Sequence, residues 1–185
     1  PVTLATDGTY IVFANGVLDP TQFAANPEGL DIAFTLMAKG DAREAATAAD
    51  MVDAFVFHGV TDAPAVDVIA RGVGVIVDNA AYGAMTDYLS VPAAKYILDI
   101  TLAEDNSTVV ASYVADVSGL AGGAAAVFAS GFLSPADNQM GEAFGLYVAL
   151  PTGDVVALPL LGAFDITIDA EKDAWYDELT GPEDG

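Results

Sequence analysis

Apolar and polar residues alternate most regularly near the middle of the chain. Tyr96, Leu98, Ile100 and Leu102 alternate with Lys95, Asp99 and Thr101. A period of two is the pattern of a half-buried β-strand. We therefore predict a strand here. The residues predicted to face a core are Tyr96, Leu98, Ile100 and Val127, and those predicted to face solvent are Lys95 and Asp99.

Shorter apolar runs on either side predict further strands. They are separated by turns rich in Gly, Pro and Asp, such as residues 61–64, 91–94 and the hairpin tip 104–107. Seven or eight short strands with such turns are typical of an antiparallel β-sandwich, so the predicted fold class is all-β. The additional predicted strands are residues 52–58, 66–71, 73–77, 109–116, 124–129, 146–150 and 155–158.

An internal repeat defines the predicted organisation. Residues 8–20 align with residues 123–135 at an offset of 115 (123 − 8), and seven of the thirteen positions are identical. We extend the alignment by matching residues 32–36 with 146–150. A period near 115 residues suits one immunoglobulin-sized domain. The predicted units are a partial sandwich repeat at 1–44, a linker at 45–50, a complete sandwich at 51–158 and a tail at 159–185.

The linker and the tail carry patterns of their own. Residues 42–49 favour a brief helix by propensity. In the tail, Phe164, Ile166 and Ile168 alternate with polar residues, which predicts an amphipathic strand at 163–169. Because residue 1 is Pro and no signal peptide is present, we expect the chain to be processed or part of something longer.

The partial repeat would be incomplete by itself. It offers three or four strands at most, and Tyr10, Val12 and Phe34 would belong to an exposed apolar face, together with Ile32 and Leu36. We predict that the tail strand of a neighbouring copy completes it and builds a head-to-tail homopolymer. Two alternatives remain open: upstream residues supply the missing strands, or residues 1–44 pack on the second domain of their own chain.

Charge and composition restrict the partners. The chain has 27 acidic and 5 basic residues, a net charge of −22, so nucleic acid is not an expected partner. No run of about 18 apolar residues occurs, so no membrane insertion is predicted. There is no cysteine, which excludes disulfides and thiolate metal sites. No cofactor is predicted, although calcium stays open, with Asp62 and Asp67 as weak candidate ligands.

Candidate catalytic chemistry is sparse. His58 is the single histidine and is interpreted as a structural hydrogen-bonding residue, since zinc would require partners that the chain lacks. No G-x-S-x-G motif occurs, and we predict that the protein is not an enzyme. Asn106 begins an Asn-Ser-Thr glycosylation pattern. Trp175 and Tyr176 are interpreted as an anchor that packs onto the sandwich rather than as a sugar-stacking pair.

Residues 57–96 resemble a known family. They contain DAPAVDV at 62–68, then Tyr82-Gly83, Tyr88, VPA at 91–93 and Tyr96. This stretch is similar to the "VHxSPDAPAVDV" and "FG…Y…VPAGxY" segments of the domain of unknown function 4397 family. The sequence departs from them at residues 59–61 and at Ala94. The resemblance implies an immunoglobulin-like sandwich outside the cytoplasm, and it implies no activity.

Three functions are compatible with these patterns, and the third, a hydrolase, has only His58 to support it. The first is a structural subunit of an extracellular filament or cell-surface array, assembled by strand donation. It is supported by the repeat, the resemblance and the lack of catalytic groups. The alternative is an extracellular carbohydrate- or calcium-binding adhesion module, which the Asp content and Trp175 would support.

Overall fold

The computed structural model describes residues 4–162, and it is built from strands. Three 3-10 helices, at Pro20–Gln22, Ser118–Leu120 and Pro135–Asp137, accompany them. The all-β prediction is therefore confirmed. The strands are β1 Tyr10–Asn15, β2 Thr35–Gly40, β3 Met51–His58, β4 Val66–Ala70, β5 Gly74–Ala80, β6 Leu89–Pro92, β7 Lys95–Leu102, β8 Asp105–Asp116, β9 Ala124–Ser130, β10 Gly145–Ala149 and β11 Val155–Ala157.

Three sheets organise these strands. A five-stranded sheet has the order β11-β10-β9-β3-β6, a four-stranded sheet has the order β5-β4-β7-β8, and β1 and β2 form a separate hairpin. All pairs are antiparallel except β3 with β9, which is parallel. One apolar core is shared by the four-stranded and five-stranded sheets, so these two layers pack on each other. Its members include Val68, Leu98, Ile100 and Tyr113 from one sheet and Leu146 from the other.

The register of β7 follows the predicted alternation. Leu98 and Ile100 are buried, Tyr96 packs against the same core, and Lys95 is exposed. Asp99 departs from its prediction, because it lies among the buried residues with only 9% of its surface exposed. Arg71 covers it with two 2.8 Å hydrogen bonds, so the outward-facing carboxylate is screened from water.

Two local predictions were wrong. Residues 91–94 were expected to form a turn, but the chain bends only at residues 93–94, because Val91 and Pro92 belong to β6, which pairs with the start of β3. Proline is tolerated there because β6 is an edge strand. Residues 42–49 form no helix. Instead, Ala46 N donates to Gly122 O at 2.8 Å, so pairing with a distant segment overrides local helix propensity.

The hairpin tip also lies earlier than predicted. The turn falls at residues 103–104, and β8 already begins at Asp105. Asp105 Oδ1 accepts hydrogen bonds from Ser107 N at 3.0 Å and from Ser107 Oγ at 2.6 Å. These bonds lower the pKa of Asp105 below its usual value. The polar residues that suggested a hairpin tip therefore form hydrogen bonds with one another at the start of β8.

The β1–β2 hairpin and the β9–β10 pair have the same local structure. In the first, Val17 N donates to Ile32 O and Phe34 N donates to Val17 O. In the second, Phe132 makes the equivalent two bonds: its N–H donates to Glu142 O, and its carbonyl accepts from Phe144 N. Each pair also contains one isolated parallel bridge after its first strand. The sequence repeat is therefore also a repeat of local structure.

This match corrects the second half of the predicted alignment. Phe13 pairs with Met37, and the equivalent Phe128 pairs with Tyr147, so the offset there is 110 residues (147 − 37). Residues 32–36 thus correspond to 142–146, not to 146–150. The predicted match failed because the loop of the first hairpin is five residues longer (115 − 110). Corrected, the sequences IAFTL and EAFGL share three identities.

One face of the hairpin packs on the five-stranded sheet. The Phe13 ring lies 4.5 Å from the Phe57 ring and 5.8 Å from the Phe128 ring, measured between centroids. Phe57 points away from the shared core because alternate β3 residues, such as Val56, line the space between the two larger sheets. The molecule is therefore layered: four-stranded sheet, five-stranded sheet, hairpin. The partial repeat, expected to hold three or four strands, contains two among the described residues.

Candidate assembly surface

The outer face of the hairpin is apolar and exposed. Val12 is 51%, Phe34 49% and Leu36 53% exposed. They alternate along the hairpin with residues such as Phe13 and Met37, which pack inward against the five-stranded sheet. The structure therefore places Val12 and Phe34, two of the predicted interface residues, on the same exposed face.

Two other residues of the predicted apolar face are less exposed. Ile32 is buried with Val17 and Tyr82 in a small cluster, because it precedes β2 and belongs to the loop. Tyr10 is half-buried. Its hydroxyl accepts a 2.6 Å hydrogen bond from Ala5 N, so the ring serves partly to hold the residues before β1.

The exposed face corresponds to core positions of the β9–β10 pair. Under the two offsets, Val12 corresponds to Val127, Ala14 to Ala129, Phe34 to Phe144, Leu36 to Leu146 and Ala38 to Val148. Four of the five pairs are identical residues.

Apart from Ala38, which corresponds to Val148, the two sets differ in what lies opposite them. In the β9–β10 pair, Leu146 is 4% exposed and packs against the four-stranded sheet, with Phe144 and Ala129 in the same cluster. Within residues 4–162, no sheet lies opposite the equivalent face of the hairpin. The hairpin thus presents a face with core composition that nothing in this part of the chain covers.

Both edges of the hairpin are unpaired within the described residues: β2 pairs only with β1, whereas the equivalent β10 also pairs with β11. Within the described residues β1 pairs only with β2, whereas the equivalent β9 pairs with β10 on one side and with β3 on the other. The outer edge of β1 therefore lacks the partner that β9 has in β3. Unpaired strand edges of this kind are templates for pairing with another chain.

The other end of the described chain lies on the four-stranded sheet. Leu160 bridges to Tyr113 of β8, Val114 N donates to Pro159 O at 2.9 Å, and Leu161 N donates to Ser112 O at 2.9 Å. The predicted donor residues, Phe164, Ile166 and Ile168, lie outside the described residues, as do Trp175 and Tyr176.

Asp62 connects loops at one end of the molecule. Its carboxylate accepts 2.8 Å hydrogen bonds from Leu133 N, Ser134 N and Asn138 Nδ2. Asn138 is fully buried, and its Oδ1 accepts a 3.0 Å bond from Ala24 N of the first hairpin's loop. Both oxygens of Asp62 are thus occupied in holding the loops together.

Asp67, the second candidate calcium ligand, has separate partners. It is buried on β4, and its Oδ1 accepts a 2.6 Å hydrogen bond from Asn79 N. Residues 4–162 contain no cluster of three or more His, Asp or Glu side chains that could hold a metal ion. Asp62 and Asp67 therefore serve loop and strand geometry in this structure.

His58 is buried at the end of β3. Its Nδ1 accepts from Val60 N at 3.3 Å, which leaves Nε2 to donate to Pro64 O at 3.2 Å. Burial lowers the pKa of His58 below its usual 6.5. The neutral imidazole therefore orients the loop that follows β3.

An acid-centred network at the start of β3 was not foreseen from the sequence. Asp53 is fully buried and accepts from Arg43 at 2.5 Å, from Thr47 N at 3.0 Å and from the Ser90 hydroxyl. Burial alone would raise the pKa of Asp53, but these hydrogen bonds lower it below its usual value. The Arg43 guanidinium also lies 4.6 Å from the centre of the Tyr88 ring. The signal in the sequence that could have indicated this network was a single Asp within the otherwise apolar start of β3.

The glycosylation candidate is accessible. Asn106 is exposed at the start of β8, and its Oδ1 accepts a 3.0 Å hydrogen bond from Thr101 Oγ1. The side-chain amide nitrogen, which would carry a glycan, does not take part in this hydrogen bond. Modification there remains a prediction.

Comparison with known proteins supports the family predicted from the sequence. Residues 53–142 match the family described as Domain of unknown function (DUF4397). The match begins in β3 and ends before β10, so it covers most of the two large sheets and not the hairpin. No curated protein and no solved structure matches the chain. Residues 4–162 contain no helix long and apolar enough to cross a membrane.

Proposed function

We propose that this chain, with its DUF4397 segment at residues 53–142, is a structural subunit of an extracellular filament or cell-surface array. Neighbouring subunits assemble by β-strand donation: the tail strand at 163–169 of one copy completes the hairpin of the next. The observation that carries the proposal is the hairpin's outer face, which has the residues of a sandwich core and is exposed.

The apolar face provides a driving force for association. Fully burying a Val, Leu or Phe side chain contributes about 1.5–3 kcal/mol. Since Val12, Phe34 and Leu36 are each about half exposed, covering them would contribute on the order of 2–5 kcal/mol in total. Main-chain hydrogen bonds to the free edge of β1 add to this and make the contact directional.

The donor and acceptor are different surfaces of the molecule. The tail follows Gly162 near β8, and the hairpin lies on the far side of the five-stranded sheet. A contact between unlike surfaces is head-to-tail and need not close into a ring, so it extends into a filament. The partner is therefore a second copy of the same chain.

The high negative charge favours assembly in salt. A net charge of −22 makes subunits repel one another, and ions screen this repulsion over about 10 Å at 0.1 M ionic strength. Assembly should therefore become more complete as sodium chloride is added, because the apolar contact is retained while the repulsion weakens.

Removal of the tail tests the proposal. We expect the full chain to form filaments visible by negative-stain microscopy in high salt, and a chain lacking residues 162–185 to remain monomeric by light scattering. A synthetic peptide of residues 163–175 should inhibit assembly of the full chain by occupying the hairpin. Filaments that persist without the tail would contradict strand donation.

A point variant separates the hairpin face from general surface effects. Leu36→Glu places a charge at the centre of the exposed face and should abolish assembly, since an unpaired charge would have to be buried. Val75→Glu is the matched control, because Val75 is 49% exposed on the edge strand β5 of the other sheet. Assembly that is equally sensitive to both variants would point to charge alone.

A further inference from the structure

We infer that the donated strand enters beside β1, parallel to it, with Phe164, Ile166 and Ile168 on the same side as Val12. It takes the place that β3 takes beside β9, and it comes from a second copy. This inference rests on the proposed function and specifies the geometry of its acceptor.

The direction follows from the repeat. β3 runs parallel to β9, with Ala54 opposite Ala125 and Val56 opposite Val127. The residues of β1 equivalent to Ala125 and Val127 are Tyr10 and Val12. Because β1 and β9 share their hairpin geometry, the free edge of β1 offers its N–H and C=O groups as β9 offers them to β3. A parallel strand therefore fits this edge.

The facing of the donated strand follows from alternation. Val56 points to the same side of its sheet as Val127, into the space between the two larger sheets. A strand at the edge of β1 likewise places every second side chain beside Val12. The tail has one apolar set with this spacing, Phe164, Ile166 and Ile168, and polar residues between them. This set extends the apolar face of the hairpin.

The donor cannot be the chain's own tail. Residues 159–161 pair with β8 in the four-stranded sheet, and the hairpin lies two layers away. Packed sheets lie about 10 Å apart, so the distance to cross is on the order of 20 Å. One residue spans at most about 3.6 Å, and Gly162 alone separates Leu161 from the predicted strand. The first residues of a strand at 163–169 therefore cannot lie beside the start of β1 in their own chain, and the parallel strand that we infer comes from a second copy.

Engineered disulfides test direction and donor together, since the native chain has no cysteine. Ala14 is small, exposed and near the end of β1. Full-length Ala14→Cys protein is mixed with either Ile168→Cys or Phe164→Cys protein, assembled, oxidised and analysed by mass spectrometry. With Ile166 beside Val12, as Val56 lies beside Val127, parallel entry places residue 168 beside residue 14, and antiparallel entry places residue 164 there. Bridging needs Cβ atoms about 4 Å apart, so we expect the Ile168→Cys mixture to yield at least about tenfold more heterodisulfide.

Two controls establish the background. Val75→Cys, on the exposed edge strand β5, is mixed with Ile168→Cys to measure disulfides formed by collision. A double variant, Tyr10→Cys with Phe164→Cys, is oxidised at a dilution at which the chain is monomeric, because the three residues after Leu161 span at most about 11 Å. We expect no intramolecular disulfide there, and one that forms would overturn the assignment to a second copy.

The outcomes separate this inference from the proposed function. A preference for Phe164→Cys would mean antiparallel entry and would overturn the inference while leaving strand donation intact. Filaments with no heterodisulfide above the Val75→Cys background would likewise overturn the position beside β1. If the unmodified full chain forms no assemblies in any salt concentration, the proposed function fails, and the inference fails with it.

Discussion

The β1–β2 hairpin and the β9–β10 pair show how little of a residue's environment is determined by its own strand. Leu36 and Leu146 occupy equivalent positions, yet one is 53% exposed and the other 4%. Their strands share pairing and the hydrogen bonds that follow the first strand. The difference is the four-stranded sheet, which covers only the second pair. Burial is thus decided by a distant part of the chain.

The largest expected effect is the difference in unfolding free energy between Ala variants of these two leucines. Leu146→Ala should lower the free energy of unfolding by about 2–5 kcal/mol, because it leaves a cavity between packed sheets. Leu36→Ala should change it by no more than about 0.5 kcal/mol in the unassembled chain, since it lies on the surface. Urea denaturation under non-assembling conditions measures both values. Equal losses would mean that the outer face of the hairpin is covered within a single chain.

A smaller loss of stability tests whether the chain reversals after β1 and after β9 are equivalent. Gly16 and Gly131 have φ angles of 87° and 98°, and a Cβ on either would lie within 2.6 Å of the carbonyl oxygen of Ala33 or Ala143. Replacing either glycine with Ala should cost about 1–3 kcal/mol, and the two costs should agree.

Gly29 provides the matched control for the turns. Its φ angle is 74°, but a Cβ there would meet nothing within 4 Å. Gly29→Ala should therefore cost only about 1 kcal/mol, the strain of the left-handed conformation alone. Thermal denaturation of the three variants makes the comparison. A Gly16→Ala cost no greater than that of Gly29→Ala would show that the first turn is looser than the second.

The smallest expected effect concerns the loop that follows β3, where Gly59 N donates to Ala129 O at 3.0 Å. His58 opens this loop, and its folded pKa lies below the 6.5 of the unfolded chain. The unfolded state then binds more protons between these two values. The stability that His58 contributes is therefore complete above pH 6.5 and is lost as the pH falls through the folded pKa.

Comparison with His58→Gln isolates this contribution. Repulsion among the acidic groups changes with pH in both proteins, so the difference between their unfolding free energies from pH 5 to pH 7.5 reports the histidine. We expect that difference to grow in favour of the native protein as the pH rises to 6.5 and then to level off. A difference that is constant over this range would contradict the assignment of a buried neutral imidazole.

Much of the strand pattern could be predicted from the sequence because local alternation encodes it. The strand β7 was predicted to within one residue, since its apolar and polar positions alternate without interruption. The strand β6 was missed because Pro92 suggested a turn, although proline is compatible with an edge strand. The repeat alignment failed only beyond its loop, where an insertion moved the offset and gave no local signal.

The candidate surface was only partly predictable. Val12 and Phe34 were recognised as apolar residues of an incomplete unit, but the sequence could not say which face of the hairpin the chain covers itself. Tertiary contacts decide this, through Phe13 packing on Phe57. The burial of Asp53 and Asp99 was invisible for the same reason, because their partners Arg43 and Arg71 lie outside their own strands.

The segment between β2 and β3 has a mechanical consequence. Residues 41–50 are anchored by hydrogen bonds from Arg43 and Thr47 to Asp53 and from Ala46 N to Gly122 O. Few residues of unattached chain therefore connect the hairpin to the larger sheets. In a polymer joined through the hairpin, tension would pass from one subunit to the next through packed sheets rather than through a flexible tether. Such a fibre would resist bending as a stiff rod does, and it would extend very little before its sheets separated.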